Sequence, residues 1–167
     1  MTQLSINQRQ LLSLMSLALI VFVMVFNSIS FAGESTTSTE KIMSQQLPPC
    51  PTAQNCVNST DAESSHQIPA LNFEGSTPEK AMQILNQVLL LITEKVQMAE
   101  DGKTLHAEFK SAVLGFVDDV DVVLNADQKR IEIRSASRAG YYDFGVNRRR
   151  VESIRKAFDE ALKQAND

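Results

Sequence analysis

The hydrophobic period changes twice along the chain, and few folds accommodate that pattern. From Ala81 through Ile84, Leu85, Val88, Leu91 and Ile92, apolar residues recur at helical spacing. From Val96 to Arg138 they alternate, and from Val151 through Ile154, Phe158, Ala161 and Leu162 the helical spacing returns. A helix buries one stripe and a half-covered strand buries every second residue, so each apolar set needs a partner surface. The order helix, strands, helix predicts an α+β two-layer sandwich. It is a four-stranded antiparallel meander flanked by an N-terminal and a C-terminal helix, with the helices on one sheet face and the other face more open.

Local signals set the limits of these elements. Thr77 is placed to cap the first helix, with Pro78 at its first helical position. Val96 and Met98 begin the strands, Asp101-Gly102 makes a hairpin turn, and Leu105, Ala107, Phe109, Ser111 and Val113 then point inward. His106 falls on the outer face, where a solvated surface residue is expected. The third strand spans Phe116 to Leu124 and the fourth Lys129 to Arg138. Apolar pairing sets Leu124 opposite Ile131, Val122 opposite Ile133, Val120 opposite Ser135 and Asp118 opposite Ser137. On the outer face the same register brings Asp121 to Arg134 and Asp119 near Arg138. Asp118 and Asp119, being adjacent on a strand, point to opposite faces and cannot share one substrate atom. Ser135 and Ser137 are small enough to let a helix approach. Asn147 is placed to cap the last helix.

The first 46 residues have no such periods. Leu11 to Phe26 is an apolar run of 16 residues followed by the small residues around Ala32. Residues 1–32 therefore read as a signal peptide cleaved after Ala32, with a membrane anchor over 11–32 as the alternative. Residues 33–46 form a Ser/Thr-rich spacer, and 47–167 a single α+β domain, as a chain of 167 residues allows. Export places the domain in a periplasmic or lumenal compartment, where Cys50 and Cys56 are expected to form a disulfide whose small ring contributes about 2 kcal/mol. A metal site would need two more ligands, and His66 and His106 show no ligand spacing with the cysteines, so neither a metal nor a cofactor is expected.

Seven of the eight arginines lie between Arg130 and Arg155. The stretch Lys129 to Lys156 carries a net +6, against −10 for the rest of a chain whose total is −4. A local basic patch on an acidic protein suits a small anion, a lipid headgroup or an acidic protein segment, and not nucleic acid, for which a chain without Trp also supplies little stacking surface. Arg148, Arg149 and Arg150 occupy a helix start, where the dipole already presents positive charge and each cation costs roughly 0.3–1 kcal/mol. Something negative must compensate, either Asp118 or Asp143 or an external anion. The candidate ligand-binding set is Arg138, Arg148, Arg149, Arg150 and Tyr141, with Asp118, Asp119, Asp121, Arg134 and Asp143 as supporting ion-pair partners. Tyr141, Tyr142 and Phe144 are expected to anchor their loop in the core or to wall a pocket.

Three segments carry a family resemblance: C-P-x-x-x-N-C-V at Cys50 to Val57, F-V-D-D-V at Phe116 to Val120, and R-S-A-S-R-A-G-Y-x-D-F-G-V-N-R-R-R at Arg134 to Arg150. In this order they resemble the domain of unknown function 1499 family, over about Cys50 to Leu162. The resemblance implies an exported or membrane-tethered protein and supplies no catalytic residues. The residues favour a noncatalytic exported module that binds an anionic group through arginine, with possible membrane proximity and an oligomeric state left open. An envelope hydrolase using Asp118 as base beside Ser137, and a purely structural assembly subunit, are the alternatives.

Overall fold

The structure is a computed structural model that describes residues 46–111 and 115–167. The expected signal peptide, the spacer up to residue 45 and Val113 lie outside the described residues.

Six strands form one antiparallel sheet, and two helices pack on it. In chain order the elements are β1 (Cys56–Asn58), β2 (Leu71–Asn72), α1 (Pro78–Leu90), β3 (Lys95–Met98), β4 (Thr104–Lys110), β5 (Val117–Asn125), β6 (Arg130–Ser137) and α2 (Val146–Asn166). The strand order is β1-β6-β5-β4-β3, and β2 also pairs with β6. The expected meander is therefore the β3–β6 part of a larger sheet. Its far side is closed by two strands of three and two residues, too short for alternation to reveal them.

The register follows the apolar alternation. Leu124 faces Ile131, Val122 faces Ile133, Val120 faces Ser135, Asp118 faces Ser137 and Asp121 faces Arg134. The covered face joins Leu105, Ala107, Val120, Val122, Ile131 and Ile133 to Leu85, Leu89, Ile154 and Phe158 of the helices. Complete burial of each large apolar side chain contributes about 1.5–3 kcal/mol, which holds the two layers together.

Helix α1 begins as expected: Thr77 is extended, and its Oγ1 accepts from the Lys80 N–H at 3.2 Å. It ends earlier than its apolar pattern. Leu91 and Ile92 are exposed and not part of the inner face, because Thr93 donates its hydroxyl to the Glu108 carbonyl at 2.6 Å and turns the chain into β3. Helix α2 also departs from expectation at its start. Gly145, at φ 76°, is the N-cap residue, and Asn147 lies inside the helix and is fully buried. The capping carboxylate is Asp143, which accepts from the Gly145 and Asn147 N–H groups at 2.8 Å each. A Cβ at position 145 would stand 3.1 Å from Arg149 Nη1, a second reason for glycine there.

Candidate functional site

Asn147 is the centre of the arginine-rich segment. Its Oδ1 accepts from the Ser135 hydroxyl and from Arg150 Nη1, each at 2.6 Å. Its Nδ2 faces three acceptors: the Asn55 carbonyl at 2.9 Å, Ser137 Oγ at 3.0 Å and Asp143 Oδ2 at 2.8 Å. One side chain thereby joins the segment before β1, strand β6, the loop after it and α2. Ser135 and Ser137 do more than leave room for a helix, since their hydroxyls are polar contacts inside the junction.

The arginines do not converge. Arg150 reaches Asp118 at 2.5 Å and lies over the Phe109 ring, 4.8 Å from its centroid. Arg138 binds Asp119 through Nε and Nη2 and also meets Glu108. Arg149 donates to the Phe144 carbonyl at 2.8 Å, and Arg148 to the Gln67 and Ser65 carbonyls at 3.0 and 2.9 Å. Part of the compensation at the helix start is thus internal, with Asp143 on the backbone and Asp118 on Arg150. The latter pairing also engages the carboxylate that a hydrolytic mechanism would need as base.

The open sheet face carries a row of paired charges. Arg134 lies 3.6 Å from Asp121, an ion pair longer than a hydrogen bond. His106 is not a solvated residue: its Nδ1 donates to Asp121 at 2.6 Å, and its Nε2 lies 3.5 Å from Asp119. Carboxylates on the neighbouring strand draw the ring down onto the sheet. His106, Glu108 and Asp119 place one ligand atom each within 4.8 Å of one another, a grouping that sequence spacing hides because it crosses two strands. Arg138 already supplies a cation to both carboxylates there. Hydrogen bonds from Lys95 and Arg138 lower the Glu108 carboxyl from its ordinary 4.5 to about 2, and the Asp119 and Glu108 carboxylates in turn raise the Arg138 guanidinium.

A cavity of about 170 Å³ opens beside the disulfide and the start of α2. Gln54, Ser65, His66, Tyr142, Asp143 and Arg148 contribute to its wall, the Asp143 carboxylate being held by the Gly145 and Asn147 N–H groups. The disulfide holds that wall in place, with an S–S length of 2.07 Å and Cα atoms 5.7 Å apart. His66 is buried, and its Nδ1 lies 3.0 Å from the Cys56 carbonyl. A carbonyl only accepts, so Nδ1 carries the hydrogen and Nε2 remains without a hydrogen-bond partner among the described residues. Arg148, among the described residues, has carbonyl partners and no carboxylate at ion-pair distance. Of the candidate ligand-binding residues only Arg148 lines this cavity. Tyr141 lies outside it and Tyr142 takes the wall position. The two tyrosines and Phe144 do not anchor a core: their exposures are 69%, 57% and 77%, because the positive φ values of Phe144 and Gly145 turn the loop outward. Sequence reasoning missed His66, Ser65 and Gln54, which belong to irregular segments with no period to mark them.

The chain matches the family model described as protein of unknown function (DUF1499) over residues 46–158. It belongs to that family. The match covers all six strands, α1 and most of α2, so the DUF1499 unit and the folded domain coincide over nearly their whole length. No curated protein and no solved structure matches the chain. Among the described residues of this DUF1499 chain, no helix is long and apolar enough to cross a membrane.

Proposed function

We propose that the domain is an exported, noncatalytic module that binds a small oxyanion, a phosphate or carboxylate group, in the cavity beside the disulfide. The observation that carries this reading is Arg148, a guanidinium held by two backbone carbonyls and left without a carboxylate at ion-pair distance among the described residues. Two carbonyls fix its plane without neutralising its charge, and its remaining N–H groups suit a forked oxyanion. His66 adds its second ring nitrogen to the wall, and Tyr142 adds a hydroxyl. The disulfide fits an oxidising compartment, which supports export. Arg138, Arg149 and Arg150 have structural roles in this reading, so the site is narrower than the arginine cluster.

Titration calorimetry of the full chain with inorganic phosphate tests it. Phosphate binds the wild type, and Arg148→Gln weakens binding about tenfold, the loss of roughly 1.4 kcal/mol expected for one charge-assisted contact. Arg138→Gln leaves binding unchanged. Equal binding by Arg148→Gln and wild type overturns the reading, as does loss of binding in Arg138→Gln alone.

A further inference from the structure

The exposed apolar side chains are not scattered. Of the nine large hydrophobic residues exposed among the described residues, all but Met98 lie in residues 90–92, at Phe116 or in the loop 141–146. The antiparallel register places these three segments at one end of the sheet. Lys95 pairs with Glu108, Lys110 with Val117, and Asp118 with Ser137. The start of β3, the end of β4, the start of β5 and the end of β6 therefore coincide. The helices agree: Lys80 Nζ, in the first turn of α1, reaches the Ala165 carbonyl at 2.5 Å near the end of α2. The end of α1 consequently points toward the same end of the domain as the start of α2, which extends farther because α2 is the longer helix. The opposite end of the sheet carries Met98 and the turns holding Glu100, Asp101, Lys103, Asp127 and Lys129, all exposed. One end of the domain is apolar and the other carries charges of both signs.

The charges around the apolar end are chiefly cationic. Lys95, Lys110, Arg138 and Arg149 are exposed there, against Glu94, and among the described residues Lys110 and Arg149 have no carboxylate at ion-pair distance. The loop is also built to present its rings. Phe144 takes φ 54°, a left-handed conformation that costs a residue with a side chain about 1–2 kcal/mol. Arg149 braces the Phe144 carbonyl from behind, and the Tyr142 ring meets the Phe144 ring edge-on at 5.0 Å. Strain of this kind persists where the surrounding structure holds it, and here it holds an aromatic ring in water.

We infer that this end of the domain docks on the surface of a bilayer containing anionic lipid. Tyrosine and phenylalanine rings beside arginine and lysine are the side chains that settle at the headgroup level, where the rings lose water and the cations meet phosphate. Rings and cations spread over three segments suit a bilayer, which conforms to each of them. This surface goes beyond the oxyanion cavity: Tyr142 belongs to both, but Phe144, Phe116, Leu91 and Ile92 are not part of the cavity wall.

The chain contains no Trp, so single Trp substitutions report each end of the full-length protein separately. Phe144→Trp and Phe116→Trp report the apolar end, and Met98→Trp the opposite end. With phosphatidylcholine and phosphatidylglycerol vesicles bearing brominated acyl chains, the first two reporters shift to the blue and lose at least half their emission. Met98→Trp keeps its emission. Adding Lys110→Gln and Arg149→Gln lowers vesicle affinity about tenfold. Equal quenching at both ends overturns the inference, since the N-terminal segment alone would then hold the chain at the membrane. Water-like emission from Phe144→Trp with vesicles overturns it too. So does a blue shift without lipid that accompanies dimerisation in sedimentation, which would assign the surface to a second copy of the chain.

Discussion

Arg150 and Asp118 form an ion pair 2.5 Å long between α2 and β5, with side chains only 14% and 13% exposed. Phe109 closes one side of the guanidinium and Ser135 and Asn147 hold its Nη1. The pair lies where the sheet passes from its apolar interior to its end. Each charge there has little solvent to turn to if the other is removed.

Removing one partner therefore costs more than removing both. Asp118→Ala lowers unfolding stability by roughly 2–4 kcal/mol, because it leaves a guanidinium largely desolvated and unpaired. Combining it with Arg150→Met recovers part of that loss. Urea unfolding of the two single variants and the double variant measures the coupling, and additive losses would show that the pair acts as two independent charges.

Asn147→Ala takes one partner from the Asn55 carbonyl, which keeps the Ser137 N–H, and from the Ser135 and Ser137 hydroxyls in a largely buried site. The expected loss is about 2–4 kcal/mol. Asn147→Asp keeps the size but replaces the donating amide with an acceptor facing Asp143 and the Asn55 carbonyl. It should unfold at least as easily in a thermal melt. A melting temperature within a degree of the wild type for either variant would remove Asn147 from the centre of the junction.

Acid acts through Glu108. Its carboxyl is lowered from 4.5 to about 2 by hydrogen bonds from Lys95 and Arg138. A group depressed on folding contributes stability that is fully present above its unfolded value and is lost as the pH falls through its folded value. The contribution of Glu108 therefore fades between about pH 4.5 and pH 2. Asp61 adds a change of the same sign, because the Cys50 and Glu63 N–H groups favour its ionised form. Urea midpoints of wild type and Glu108→Gln, measured from pH 7 to pH 2, should draw together as the acid limb is descended. Parallel curves would assign the acid sensitivity elsewhere.

The register of β5 and β6 was legible because two constraints agreed: alternation chose the inward set, and matching apolar rows chose the pairing. Of the three arginines at the start of α2 only Arg150 meets a carboxylate, Asp118, while Asp143 serves the backbone. Backbone carbonyls hold Arg148 and Arg149, and a carbonyl has no sequence signature. β1 and β2 are too short for any period, and the loop from Ser59 to Ala70 has none. The cavity wall at His66 and Ser65 was therefore hidden. Tyr142 walls the cavity, the second of the two expectations, but core anchoring fails for Tyr141, Tyr142 and Phe144: aromatic content suggests burial, and the left-handed Phe144 and Gly145 backbone decides otherwise.

The way the sheet ends bears on solution behaviour. One margin is β3, four residues long with Lys95 71% exposed. The other is divided between β1 and β2, of three and two residues. Neither margin offers the long unpaired row of N–H and C=O groups on which a second chain can template itself. The protein can therefore carry an apolar end in water without that end seeding fibrous aggregation, because contact between exposed rings is not extended into a growing ladder of backbone hydrogen bonds.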